Sequence, residues 1–96
     1  MSEAKACTPG EIAEQLGNDS QWQLVENKLY RRLVFEDFVH AFGFITQIAI
    51  LAEKANHHPE WANVYRTVDI YLTTHEVGGV SARDFELMAA IDRIIA

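Results

Sequence analysis

The sequence predicts an α+β fold in which four antiparallel strands form one sheet and the helices pack on a single face of it. Two pairs of short segments alternate apolar and polar residues, which is typical of strands, whereas residues 37–55 repeat at a helical period. The elements follow the order α-β-β-α-β-β-α. Because the chain has 96 residues, of which 49% are hydrophobic, residues 1–96 are expected to form a single globular domain.

A short helix and a hairpin are predicted at the N-terminal end. The helix is defined by a capping residue, a proline suited to the first turn, a capping-box acid and a terminating glycine, which are Thr8, Pro9, Glu11 and Gly17. Residues 22–26 and 28–35 then alternate as two strands joined near Asn27, where a tight turn fits. This hairpin supplies half of the predicted sheet.

The long helix predicted over residues 37–55 carries an unusually broad apolar surface. Steps of three and four residues predict a buried stripe of Phe38, Phe42, Ile45, Ile48, Ala49 and Ala52, which Val39, Phe44 and Leu51 widen. Asn56 is expected to end the helix in the left-handed conformation, and Pro59 prevents its continuation. So broad a surface indicates that this helix contacts more than its own sheet.

Two strands and a helix complete the chain. Residues 61–65 and 68–74 are predicted as strands, and Gly78-Gly79 as a flexible turn. The last helix is expected to begin at Ser81, with Asp84 as the acid of a capping box. Its predicted buried side is formed by Phe85, Met88, Ala89, Ile91 and Ile95.

Composition and charge exclude several classes of protein. The net charge is -6 and the basic residues are scattered, so no basic stripe is present for direct binding to nucleic acid. The longest wholly apolar run, residues 48–52, is too short to span a membrane. Cys7 is the only cysteine and the first twenty residues lack an apolar core, which together favour a reducing, cytoplasmic location.

Three histidines lie where the chain changes direction, and acidic residues lie near them. His57 and His58 leave the long helix, and His75 ends the last predicted strand. Glu53 precedes His57 by four residues, so one helical turn should place them on the same side. Asp84 opens the next helix. Because imidazoles exchange protons near neutral pH and a helix C-terminus favours their protonated form, this set indicates an acid–base site.

Other readings of these residues stay open. The histidines and acids could be polar residues at helix ends, and Trp61 and Tyr65 could serve sheet packing. A zinc site built from Glu53 and the three histidines is disfavoured, since adjacent histidines rarely converge on one ion and no paired His-x-x-x-His or Cys-x-x-Cys element is present. His40 lies inside the long helix without a partner pattern, and it receives no role.

The pattern of these residues resembles a known signature. It reads Glu53-x-x-x-His57-His58-Pro59, then Tyr65, His75 and Asp84, and it is similar to the signature of the pterin-4a-carbinolamine dehydratases. The segments Pro59-Glu60-Trp61-x-Asn63-Val64-Tyr65 and Thr74-His75-Glu76 also resemble that family. The similarity extends from Trp22 to the C-terminus.

The resemblance implies an activity and roles for the site residues. Members of the family eliminate water from 4a-hydroxytetrahydropterins to give quinonoid dihydropterins, without a metal or cofactor. The residues expected to be catalytic are His57, His58, His75 and Asp84. We expect His57 and His75 to supply the acid and the base, in an order that the sequence leaves open. His58 would help to hold and polarise the pterin, and Asp84 would orient an imidazole. The residues expected to contact the substrate are Glu53, Pro59 and Trp61.

The resemblance also implies partners. Members of the family associate as homodimers or homotetramers, partly through the long helix. Some relatives serve as dimerisation cofactors for a transcription factor through the same surface, so a protein-binding module is the alternative function. A pterin-binding protein with weak or altered activity is a third possibility.

Overall fold

The computed structural model describes residues 5–95. Its helices and strands are α1 (Pro9–Leu16), β1 (Gln23–Val25), β2 (Lys28–Val34), α2 (Phe38–Ala55), β3 (Glu60–Val64), β4 (Thr67–Leu72) and α3 (Ala82–Ile95), and a single 3-10 turn spans His75–Val77. The order confirms the predicted α+β arrangement. Residues 1–4 and 96 lie outside the described part of the chain, so a single domain over the whole of 1–96 stays a prediction.

The sheet is antiparallel throughout, with the strand order β1-β2-β4-β3. Val25 pairs with Lys28, so Glu26 and Asn27 alone form the first turn, and their φ values are 51° and 66°. Two left-handed residues give a turn whose twist matches that of the strands it joins, which confirms the tight hairpin predicted near Asn27. A second hairpin joins β3 to β4, and it turns at Tyr65 with a φ of 52°.

The core lies between one face of the sheet and the helices. The sheet contributes the buried side chains of Leu29, Leu33, Val68, Ile70 and Leu72, and the helices contribute Ile12, Ala41, Phe44, Ile48, Leu87 and Ile91. Trp22 is also buried, and its Nε1 donates a hydrogen bond of 2.8 Å to Asp92. The helices cover one face only, as predicted.

The predicted buried stripe of α2 is partly wrong. Ile48 and Ala52 are buried as expected, but Phe38 and Phe42 are 47% and 54% exposed, and Ala49 is exposed too. The residues that face the core instead include Ala41, whose small side chain lets the helix approach the sheet. The helix is apolar on nearly all sides, so its period alone could not identify the core-facing side. In α3, likewise, Ala89 is exposed and Leu87 is buried.

The helix ends follow the predicted capping chemistry. In α1, Thr8 N–H donates to Glu11 and Glu11 N–H donates to the Thr8 hydroxyl, at 2.7 and 3.1 Å, which is the predicted capping box. Asn56 ends α2 in the left-handed conformation, with φ 53° and ψ 41°. In α3 the first helical residue is Ala82, and the preceding Ser81 donates its N–H to Asp84 at 2.9 Å.

The sheet face away from the helices carries a polar network. Asp69 accepts hydrogen bonds from the Tyr30 hydroxyl at 2.6 Å and from two guanidinium nitrogens of Arg32 at 2.8 and 3.1 Å. The Arg32 guanidinium holds the pKa of Asp69 below its ordinary value. The rings of Tyr30 and Tyr71 lie 4.8 Å apart on the same face. This face is therefore organised by charge and aromatic contact rather than by an apolar core.

By length and composition alone, α2 is the one helix within residues 5–95 that could cross a membrane. Its residues Ala41, Phe44, Ile48 and Ala52 are nevertheless buried inside the domain. This packing makes α2 a helix of the globular core, with a second apolar side left exposed.

Candidate active site

The end of α2 turns one histidine inward. The left-handed Asn56 reverses the chain, and His57 N–H donates back to the carbonyl of Ala52 at 3.1 Å. The His57 side chain is buried, and its Nε2 lies 2.6 Å from Oδ1 of Asp84 at the start of α3. A helix end thus delivers an imidazole to a carboxylate that lies 27 positions further along the chain.

Asp84 is fully buried, and each of its oxygens has partners. The Thr74 hydroxyl and the Ser81 N–H donate to Oδ2 at 2.8 and 2.9 Å, while Oδ1 faces His57. The hydroxyls of Thr74 and Ser81 lie 2.7 Å apart. Since Thr74 gives its proton to the carboxylate, the Ser81 hydroxyl donates to Thr74. Asp84 therefore does more than cap α3, because the same carboxylate fixes His57.

Glu53 contacts a different histidine from the one expected. Its Oε1 lies 2.8 Å from Nε2 of His58, and both side chains are exposed. The expectation that Glu53 and His57 share one side of the helix is wrong, because α2 ends at Ala55 and Asn56 swings His57 toward α3. Pro59 follows His58 and leads directly into β3.

His75 lies in a 3-10 turn rather than at the end of a strand. β4 stops at Leu72, and the turn His75–Val77, here called the His75 turn, follows Thr74. Nε2 of His75 lies 2.9 Å from Oε2 of Glu60, whose other oxygen lies 2.6 Å from Nζ of Lys28. The Lys28 ammonium, more than any other neighbour, lowers the pKa of Glu60.

Glu60 is a site residue that the sequence did not single out. The sheet register brings Glu60 to the site, because Glu60 pairs with Tyr71, which pairs in turn with Tyr30. Lys28 precedes Tyr30 by two residues and so points to the same face as Glu60. That register could not be predicted from one sequence.

Hydrogen bonds and neighbouring positions in the chain relate the three histidines to the end of the sheet where β3 begins and β4 ends. His57 reaches Thr74 through Asp84, and Thr74 directly precedes His75. His75 in turn reaches Glu60, which lies two residues after His58. Arg83 reinforces this arrangement, since it donates to the carbonyl of Asn56 at 3.1 Å and contacts Glu76 at 3.3 Å.

The aromatic residues of the signature have different positions. Trp61 pairs with Ile70 in the sheet and packs half-buried against the core, next in the chain to Glu60. Tyr65 lies in the β3–β4 turn at the far end of β3 and is 63% exposed. Tyr65 is therefore separated from the histidines by the length of a strand.

His40 has partners that the sequence analysis did not identify. Its Nδ1 lies 2.7 Å from Asp37, the N-cap of α2, and its Nε2 lies 3.7 Å from Glu36. The Asp37 contact raises the pKa of His40. The sequence feature that could have indicated the Asp37 contact is the position of His40, three residues after a capping aspartate. Possible metal-ligand atoms of Glu36, Asp37 and His40 lie within 4.8 Å of one another on the surface.

Comparison with known proteins places these observations in a family. Residues 5–94 match the family described as Pterin 4 alpha carbinolamine dehydratase. Two relatives are provisionally named pterin-4-alpha-carbinolamine dehydratases. The one from Solibacter usitatus is 51% identical, and the match covers 90% of this chain and 90% of the relative. The one from Rhodopseudomonas palustris is 49% identical, and the match covers 91% of this chain and 88% of the relative. The crystal structure of a transcriptional coactivator/pterin dehydratase from Brucella melitensis matches with a TM-score of 0.91 at 38% identity, covering 96% of this chain and all of that chain.

Proposed function

This chain belongs to the pterin-4a-carbinolamine dehydratase family, and we propose that it eliminates water from a 4a-hydroxytetrahydropterin to give the quinonoid dihydropterin. The observation that carries this proposal is the buried pair of His57 and Asp84, which is hydrogen-bonded to Thr74, the residue before His75. The reaction would serve tetrahydropterin recycling for aromatic amino-acid hydroxylation, in the cytoplasm.

The chemistry needs one proton donor and one proton acceptor. The bond between C4a and its hydroxyl oxygen breaks, and the oxygen leaves as water after it takes a proton. The proton on N5 passes to a base, and a double bond forms between C4a and N5. We assign the two transfers to His57 and His75, because a histidine can give or accept a proton near neutral pH.

We expect each imidazole to present the same nitrogen to the substrate. Nε2 of His57, His58 and His75 lies 2.6, 2.8 and 2.9 Å from a carboxylate oxygen. A carboxylate favours a proton on the nitrogen that faces it, so in the neutral ring Nδ1 carries the lone pair. Nδ1 is therefore the atom we expect to meet the pterin.

The remaining family residues would hold the pterin. In this proposal His58 and the exposed Glu53 polarise its polar edge, while Pro59 keeps His58 extended by restricting the backbone before it. Trp61 supplies an apolar wall at the start of β3, on the sheet face opposite to Glu60. These roles follow the family signature and the positions of the residues at the start of β3.

A direct assay tests the proposal. Formation of quinonoid dihydropterin from a 4a-hydroxytetrahydropterin is followed by absorbance, with the native protein and with the same amount of heat-denatured protein. We expect the native protein alone to accelerate the reaction. Binding of the pterin without acceleration would contradict dehydratase activity and favour a pterin-binding protein.

The exposed side of α2 supports a second proposal, which concerns partners. Phe42 is 54% exposed and Ile50 is 64% exposed, and with Phe38 and Val39 they leave an apolar surface on a small domain. Such a surface is typical of an interface between proteins. We propose that copies of this chain cover it in a homodimer or homotetramer. The alternative occupant is a transcription factor, and the Brucella melitensis relative is named a coactivator.

A mass measurement decides between these occupants. Phe42→Glu should lower the molar mass in sedimentation toward that of a single chain, because a charge would be buried at the interface. Gln47→Glu adds the same charge at an exposed polar position of α2 and should have a smaller effect. A monomeric wild-type protein would contradict self-association and favour the heterologous partner.

A further inference from the structure

Glu60 lies between a fixed cation and an exposed histidine. Its Oε1 is 2.6 Å from Nζ of Lys28 and its Oε2 is 2.9 Å from Nε2 of His75. The His75 side chain is 77% exposed, whereas Lys28 and Glu60 are shielded by about two thirds. The carboxylate is thus the better-anchored partner, and His75 depends on it for direction.

The β1–β2 hairpin, which contains Lys28, also contacts the residues that directly follow the His75 turn. Nδ2 of Asn27 donates to the carbonyl of Gly78 at 2.9 Å. A Cβ atom built on Gly79 would lie 3.0 Å from the same nitrogen, so the Asn27 amide packs closely against the backbone of Gly79. The β1–β2 hairpin therefore holds the segment that carries His75 in two ways. Asn27 binds its backbone at Gly78, and Lys28 holds the imidazole through Glu60.

We propose that Glu60 is a positioning residue for His75 and that Lys28 fixes Glu60 in the orientation that this requires. The proposal rests on the proposed function, in which His75 transfers a proton. The carboxylate favours the tautomer with a proton on Nε2 and limits rotation of an exposed ring. Lys28 favours the ionised form of Glu60, since it lowers the pKa of that carboxyl group.

Turnover of Glu60→Gln and Lys28→Met tests the proposal. A misplaced proton-transfer group reduces rate rather than binding, so both variants should lower kcat by about tenfold while KM changes little. Glu14→Gln is the matched control, because it makes the same substitution at an exposed position of α1, away from the three histidines. That control should keep wild-type kcat.

Non-additivity separates positioning from a general loss of structure. If Glu60 acts through His75, Glu60→Gln should have little further effect in a His75→Ala background, and Lys28→Met little further effect in Glu60→Gln. Nitrogen-15 spectra of the imidazoles should show His75 losing its preference for the Nε2–H tautomer in Glu60→Gln, with His57 unchanged. A merely structural role would not give this signature.

The outcomes are distinguishable. An active wild-type protein whose kcat and His75 spectrum are unaffected by Glu60→Gln would overturn the positioning role and leave the proposed function intact. Additive losses across Glu60 and His75 would overturn it as well. A wild-type protein without dehydratase activity would overturn the proposed function and this role with it.

Discussion

Replacing Asp84 by asparagine should lower dehydratase turnover by about 10²–10⁴, the range expected for losing a general acid or base. The amide has nearly the shape of the carboxylate but brings two hydrogens into a fully buried site. If its nitrogen replaces Oδ2, it opposes the donors of Thr74 and Ser81. If it replaces Oδ1, His57 must accept through Nε2 and carry its proton on Nδ1.

The second orientation is the less costly one, and it explains why activity should fall more than stability. It gives each buried polar atom at least one hydrogen-bond partner, whereas the first leaves the donors of Thr74 and Ser81 unpaired at a cost of about 1–3 kcal/mol. The proton of His57 would then occupy the nitrogen that the proposal assigns to the substrate. Steady-state kinetics and urea denaturation of the same preparation would measure the two effects separately.

Asp69→Asn provides the matched control for this prediction. Asp69 also accepts several hydrogen bonds, but from Tyr30 and Arg32 on the sheet face away from the helices. Its replacement should leave kcat near the wild-type value. A folded Asp84→Asn protein with wild-type turnover would show that the carboxylate is only a helix cap, and would remove the basis for pairing it with His57.

Ile48→Ala should lower the free energy of unfolding by about 2–5 kcal/mol, because it opens a cavity in the core. Ile48 is completely buried, and it lies on the side of α2 that faces the sheet. A domain of this size has only about 5–15 kcal/mol of stability, so the loss would be a large fraction of it. Urea denaturation monitored by tryptophan fluorescence would measure the change.

Ile50→Ala makes the same substitution two residues further along the same helix. Ile50 is 64% exposed, so in the isolated chain the effect should stay within about 0.5 kcal/mol. Because self-association adds concentration-dependent stability, both variants should be compared at equal, low protein concentration. Equal losses for the two variants would contradict the observed orientation of α2.

Local chemistry made much of the fold predictable. Thr8, Glu11 and Asn56 act through neighbours within a few residues, so their caps could be predicted from spacing alone. The core-facing side of α2 could not, because Phe42 and Phe44 are equally apolar and only the position of the sheet distinguishes them. The last strand was predicted to start one residue late and to end two residues late, because Thr73 and Thr74 continue the alternating pattern although they lie beyond the ladder.

In the candidate site, too, local features could be predicted and long-range contacts could not. The sequence identified the residue types, and the resemblance supplied their roles. Neither the sequence nor the resemblance identified which acid contacts which imidazole, because these pairs depend on how the chain turns at Asn56 and on the register of β3 against β4. Glu60 was missed for that reason, and Glu53 was placed beside the wrong histidine.

The two-residue turn at Glu26 and Asn27 restricts how the protein can vary. Hairpin turns are ordinarily places where a chain tolerates inserted residues. Here an insertion would carry Asn27 away from Gly78 and so remove the contact that holds the residues after the His75 turn. The loop length of a surface hairpin is thereby coupled to the geometry of a histidine nearly fifty residues away in the chain.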